Sequence, residues 1–296
     1  MNRVGVVGLV AFLLLDAMLV ALAWRHSQGD AEAATIPALP SARSPAGAGT
    51  SETAPGSKAP DQEYVAALAD GRLVVRAPVR DCADSDDAPP LRVATSSDGG
   101  STFTTTQIEG LATVSGAFAG DGRARVFGAD AECSSVTYET SDGGGSWQLL
   151  DEPPSFWSVL PGAAHEVMTP TDTATVPCRP RRVSGIDAGV ARVWCADGEI
   201  LGTSSAGAEW VTLGRLEDAL TVAFSSPATG YALAEDPDCE GLSVLETNDG
   251  GTTWQGVHCS PVHGPAAIAA DGDSVAVVGA DRVDASPDAG QSWTLR

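Results

Sequence analysis

The sequence predicts an all-β chain of repeated four-stranded antiparallel units, following an N-terminal transmembrane helix. Three observations carry that reading. An eight-residue pattern recurs five times between residues 96 and 293. Short β-type runs flank every copy. With 33 Gly and 19 Pro in 296 residues, turns are frequent throughout.

The first element is the apolar run Val4 to Trp24, interrupted only by Asp16. Its 21 residues are long enough to cross a bilayer core of ~30 Å as a helix. A cleaved signal carries a shorter apolar region, and Ala21-Leu22-Ala23 is the one small-residue cleavage candidate. An uncleaved signal anchor over residues 1–26 is the preferred expectation, with secretion the outcome if the segment is cleaved. A carboxylate at mid-membrane costs ~2.5–3.5 kcal/mol, so Asp16 is either tolerated in its protonated form or contacts another membrane helix. Residues 27–60 are rich in Ala, Pro, Ser and Gly and read as a disordered linker.

Residues 61–296 hold the repeats. The pattern is hydroxyl, any, Asp, any, Gly, any, any, aromatic, and each copy is called a box below. The copies are Ser96, Asp98, Gly100, Phe103; Thr140, Asp142, Gly144, Trp147; Thr203, Ser205, Gly207, Trp210; Thr247, Asp249, Gly251, Trp254; and Ser286, Asp288, Gly290, Trp293. Ser205 stands where the other four have Asp. The carboxylate can accept amide hydrogen bonds within its own tight loop, and the Gly can supply a left-handed residue. The aromatic starts the next strand and is expected to bury a large apolar area in the core. Runs such as Ser135–Glu139 before a box and Trp254–Val257 after it make each box a hairpin loop between two strands.

This pattern resembles the BNR or Asp-box repeat of sialidases, sortilin-type receptors, xyloglucan-degrading glycosidases and photosystem II assembly factor-like proteins. The resemblance covers about residues 61–296 and implies a β-propeller. In that family the boxes are structural and lie away from known active sites. A repeat of about 40 residues also fits one four-stranded blade on its own terms. The starts of the boxes are 44, 63, 44 and 39 residues apart. The long interval holds candidate strands Trp157–Leu160, Glu166–Met168 and Thr173–Val176. Read as a boxless, degenerate blade, it gives six blades, the preferred count; read as an insertion, it gives five, and seven is the further alternative.

Six cysteines in an exported chain suggest disulfides. Cys82, Cys133, Cys195 and Cys239 fall between the second and third strands of their blades, and Cys259 just after a fourth strand. Those connections share one face of a propeller, opposite the boxes. The expected pairs are therefore Cys82–Cys133, Cys178–Cys195 and Cys239–Cys259. The same loops are acidic, with Asp81, Asp84, Asp86 and Asp87 in one and Asp236, Asp238 and Glu240 in another. They form either an ordinary solvated surface or a candidate binding face for a basic partner. Asp84, Asp86 and Asp87 could also hold Ca²⁺, but the EF-hand glycine and distal Glu are missing. No other cofactor and no metal centre is expected. His258 and His263, flanking Cys259, read as ordinary loop histidines.

The formal net charge of −22 and the single lysine, Lys58, argue against nucleic-acid binding. No G-x-S-x-G, P-loop or H-E-x-x-H sequence occurs. What the resemblance implies for chemistry is a glycosidase alternative. A sialidase-like site would need three arginines, a Tyr–Glu pair and an acid. Arg179-Pro180-Arg181-Arg182 is the one dense basic cluster, and the family's Arg-Ile-Pro signature is missing. The expectation is a non-catalytic binding or scaffolding module for an envelope protein or glycan, tethered to the membrane with its propeller outside the cytoplasm. The alternative is a sialidase-like exo-glycosidase of the cell surface.

Overall fold

The computed structural model describes residues 64–79, 91–151 and 155–296. The expected transmembrane helix, the linker, Cys82 and the acids Asp81, Asp84, Asp86 and Asp87 lie outside the described residues. Among the described residues, no helix is long and apolar enough to cross a membrane.

Among the described residues, twenty-three strands form six antiparallel sheets, each made of strands consecutive in sequence. Blade 1 holds β1 (Tyr64–Ala69), β2 (Leu73–Pro78), β3 (Arg92–Ser96) and β4 (Thr104–Gln107). Blade 2 holds β5 (Thr113–Gly120), β6 (Arg123–Ala129), β7 (Ser135–Thr140) and β8 (Gln148–Leu150). Blade 3 holds only β9 (Ser158–Val159), β10 (Glu166–Met168) and β11 (Thr173–Thr175). Blade 4 holds β12 (Pro180–Gly185), β13 (Ala191–Cys195), β14 (Glu199–Thr203) and β15 (Val211–Arg215). Blade 5 holds β16 (Ala219–Phe224), β17 (Gly230–Ala234), β18 (Leu242–Thr247) and β19 (Gln255–Ser260). Blade 6 holds β20 (Ala267–Asp271), β21 (Ser274–Val278), β22 (Val283–Ser286) and β23 (Thr294–Leu295). The strands β1, β5, β9, β12, β16 and β20 touch in cyclic order and enclose a channel. This is a six-bladed β-propeller, and the long interval between boxes is the boxless third blade.

Blade 3 departs from the four-stranded plan. A side chain at Gly116 would meet Ser158, and Phe118 stacks on Phe156 at 5.5 Å. Higher numbers on β5 thus face lower numbers before β9. The inner strand of blade 3 runs against its neighbour, in the direction of a second strand. The innermost position is filled by a two-residue strand and the irregular segment leading into it.

A strand buried on both faces needs a partner surface on each side. The core accordingly divides into six apolar clusters, one per seam between blades. The box aromatics follow one rule: each packs into the seam with the blade before it. Trp147 joins the cluster between blades 1 and 2, and Trp210 that between 3 and 4. Trp254 joins blades 4 and 5, Trp293 joins 5 and 6, and Phe103 joins 6 and 1. The boxless blade 3 provides no such residue, and Phe127, Phe156 and Met168 fill its seam with blade 2. All five box aromatics are half-buried wedges, which corrects the expectation of large buried core residues.

Closure between blades 6 and 1 uses no exchanged strand. Arg76 donates to the Gly279 carbonyl across the seam. The Asp70 amide donates to Asp271 Oδ2 at 2.9 Å, and Arg296 Nη1 to the Gly99 carbonyl at 3.0 Å.

Trp254 stands edge-on to Phe224 at 5.9 Å, and its indole N–H donates to the Gly251 carbonyl at 3.2 Å. Truncating a fully buried aromatic costs ~3–5 kcal/mol, so a half-buried one should cost less. Trp254→Ala is expected to destabilise by ~2–3 kcal/mol in urea unfolding monitored by circular dichroism. A loss under about half a kcal/mol would sink the seam-wedge role.

Candidate functional site

The box hydroxyls are buried, and each closes its loop from inside. Ser96 Oγ donates to Asp98 Oδ1 at 2.7 Å and accepts from the Gly100 amide at 2.8 Å. The same pair of bonds recurs from Thr140, Thr247 and Ser286. The Asp then grips the residue before the aromatic through both oxygens. Asp249 Oδ1 accepts from the Thr253 amide at 2.9 Å, and Oδ2 from the Thr253 hydroxyl at 2.7 Å. Thr102, Ser146 and Ser292 do the same for Asp98, Asp142 and Asp288. This second hydroxyl was missed in the eight-residue pattern, although it stands in the sequence in four copies. In the departing copy, Ser205 Oγ keeps only the bond from the Glu209 amide, at 3.0 Å, and Thr203–Ser205 lengthens to 3.4 Å.

The glycine is needed twice over. Gly100 has φ 94°, and a Cβ there would lie 2.4 Å from Val283 in the preceding blade. Four of the five boxes also tie to the turn between the first two strands of their own blade. The Gly99 amide donates to Arg72 O at 2.8 Å, Ala206 to Gly189 O at 2.9 Å, Gly250 to Ala228 O at 2.8 Å and Ala289 to Asp273 O at 2.7 Å. Boxes and first turns therefore share one face, here called the box face. The loops joining second and third strands lie on the other.

That other face carries the disulfides and the acidic loops. Cys178–Cys195 and Cys239–Cys259 are both formed, as expected. Cys133 is disulfide-bonded too, and its expected partner Cys82 lies outside the described residues. Two positions are corrected: Cys195 ends β13 and Cys259 lies within β19, so both sit on strands. Disulfides of this kind fit an oxidising, extracytoplasmic compartment. Asp236, Asp238 and Glu240 are exposed in the β17–β18 loop. Part of the acidity closes turns: Asp236 Oδ1 accepts from the Asp238 amide at 2.9 Å, and Asp130 Oδ1 from the Ser134 amide at 2.8 Å. Cys195, Asp197 and Glu199 approach one another as metal ligands would, but the Cys195 sulfur is already in a disulfide.

The remaining candidates divide between the channel and the seams. Arg182 is buried in it, donating to Tyr64 O at 2.9 Å and to Arg181 O at 2.8 Å. Arg181 lies over the Trp194 ring at 4.8 Å. Arg181 thus packs onto a blade and Arg182 into the channel. Tyr231 is fully buried, and burial, with Glu246 and Asp273 nearby, pushes its phenol up to about 12. Tyr138 donates to Glu109 O at 2.8 Å. Neither is placed to act as a nucleophile. His258 Nε2 pairs with the buried Asp284 at 2.8 Å, and its ring stacks on Trp293 at 4.5 Å. Its place is a seam between blades.

At the box face the channel opens into a cavity of about 390 Å³. Phe118, Phe156, Trp157 and Phe224 line it, with Asp187 and Asp271 among its polar groups. The ends of the inner strands of blades 1, 2, 4, 5 and 6 surround it, and the irregular segment before β9 supplies Phe156 and Trp157. No sequence pattern pointed to this cavity, because its walls come from six blades.

No protein-family model matches the chain, and no curated protein matches it. Among solved structures, YCF48 from Cyanidioschyzon merolae is similar over 79% of this chain and 72% of its own, at 15% identity and TM-score 0.32. The Aleuria aurantia lectin AAL, solved with Fucα1-6GlcNAc, is similar over 80% and 94%, at 11% identity and TM-score 0.47. The GH74 xyloglucanase from Xanthomonas campestris is similar over 79% of this chain but 38% of its own, at 14% identity and TM-score 0.30.

The hydroxyl and amide donors hold Asp98 and Asp249 at about 2, below the ordinary 3.8, and hold Asp142 and Asp288 down as well. A carboxylate held down in the folded state stabilises above its unfolded value, and that contribution is lost as pH falls through the folded one. The Asp249 contribution should therefore fade between about pH 4 and pH 2. Asp249→Asn keeps the shape and removes the charge. Its melting temperature should lie below wild type at pH 7, and the two should converge near pH 2. A gap that stays constant across that range would show that the charge is not involved. The 20-residue separation of Cys239 and Cys259 sets a second expectation. Replacing both by Ser should cost about 3 kcal/mol in denaturant unfolding, and an unchanged midpoint would count against the bridge as a fastening.

Proposed function

We propose that the chain is an Asp-box propeller acting as a non-catalytic binding module for an envelope protein or glycan. In this reading, residues 1–26 anchor it in the membrane, residues 27–60 form the linker, and the propeller stands outside the cytoplasm. The carrying observation is the cavity at the box-face mouth of the channel. Its size falls in the range of small-molecule and side-chain pockets, and it combines aromatic walls with a few polar groups. Its carboxylates are engaged by backbone amides: Asp187 Oδ1 accepts from Gly189 and Val190, and Asp271 Oδ2 from Asp70. Each carboxylate is thus held in place by backbone, and aromatic walls with a few fixed polar groups suit recognition of a side chain or sugar. The acidic face with Asp236, Asp238 and Glu240 is the second docking candidate, on the opposite side, and Asp81, Asp84, Asp86 and Asp87 lie outside the described residues.

The test is crosslinking of the full-length chain in its native membrane, followed by mass spectrometry, with a linker-deleted copy as control. One envelope partner enriched over the control is the expected result. No enriched partner, together with hydrolysis of a fluorogenic glycoside by the purified chain, would replace this reading by the glycosidase.

A further inference from the structure

We propose that the box-face mouth of the channel receives a cationic side chain of a peptide partner, an ammonium or guanidinium group on an apolar stem. This inference rests on the binding-module reading and names the chemistry of the ligand. The cavity walls are aromatic: Phe156, Trp157 and Phe224 are buried, while Phe118 is 38% exposed and presents its ring at the opening. An apolar stem several carbons long packs against such walls while its charged head stays at the rim. Asp187 and Asp271 both line the cavity and are both exposed. Among the described residues nothing bonds Asp187 Oδ2 or Asp271 Oδ1, so each carboxylate keeps an oxygen for a donor from outside.

The surrounding charges favour the same ligand. No Lys, Arg or His lines the cavity. Arg125 lies over Phe118 at 5.9 Å and donates to Ser155 Oγ at 3.4 Å, and Glu139 holds and offsets its charge at 2.7 Å. With Phe156 stacked on its ring at 5.5 Å, Phe118 offers a ligand's apolar stem its exposed edge. Arg182 lies in the narrower stretch of about 70 Å³ beyond the cavity, turned to the Tyr64 carbonyl. An anion would meet two carboxylates in a chain of net charge −22. The degenerate third blade explains why the site exists. Where other blades place a regular inner strand, this one brings Phe156 and Trp157 to the mouth.

The experiment is a ligand-observed NMR titration of the full-length chain at low salt. The probe is a blocked Gly/Ala pentapeptide carrying one Arg, with citrulline and Glu versions as controls. The Arg peptide should bind, and binding should weaken as salt rises. The citrulline and Glu peptides should bind at least about tenfold more weakly. Asp187→Asn with Asp271→Asn keeps both turn acceptors and should weaken the Arg peptide about tenfold or more, with unchanged thermal unfolding. Phe118→Leu should weaken it too. Glu217→Gln, exposed in the β15–β16 connection on the far face, should change nothing. Absence of Arg-peptide binding, or equal binding by wild type and the Asp187/Asp271 variant, overturns the proposal. If crosslinking still captures one partner in that case, the binding-module reading survives and only the cationic ligand is wrong.

Discussion

The fold depends on the seam between blades. A twisted four-stranded blade has two apolar faces and cannot bury either by itself. Each seam here is sealed by Val, Ala, Leu and Ile from facing strands, and five of the six are also wedged by an aromatic from a box. The box is thus more than a turn. Its hydroxyl–carboxylate network fixes the loop, the loop fixes where the fourth strand begins, and the first residue of that segment is the wedge. One short motif sets both the hairpin within a blade and the contact with the blade before it.

This arrangement divides the chemistry between the two faces. On the box face, four carboxylates are consumed by their own loops, so the acidity left for a partner there sits in the first turns around the channel mouth. On the opposite face, the acids stand beside disulfides and are largely solvated, apart from those that close their own turns. The faces therefore differ in kind, one a concave aromatic opening, the other a fastened acidic rim.

Much of the architecture was legible in the sequence because the determinants are local. A box is eight contiguous residues, so its recurrence marked five blades, and the long interval marked the sixth. Glu166–Met168 was identified as a strand to the residue. The disulfides Cys178–Cys195 and Cys239–Cys259 followed from which loops share a face. The reversal of blade 3 was not legible, since a two-residue strand carries no periodicity and its direction is set by Ser158 meeting Gly116. The depth of the tryptophans was misjudged for a related reason: a wedge at a seam edge has the same residue type as a core residue. The second box hydroxyl was present at Thr102, Ser146, Thr253 and Ser292, but Ser and Thr are common in loops and gave no contrast. The channel mouth was out of reach altogether, because Phe118, Phe156 and Phe224 are brought together only by the closed ring.

Among the described residues every blade is contiguous in sequence, so no strand there staples the ring shut. Most stretches of the chain can assemble onto the one made before, blade upon blade, as an open arc. Such an arc carries an unsealed apolar face at each end until the last blade docks through Arg76, Asp271 and Arg296. A partly made arc can equally well dock onto a second arc, which makes it a route to aggregation. The seam between blades 6 and 1 joins the parts of the propeller furthest apart in sequence. Its closure therefore carries the largest chain-entropy cost of the six seams.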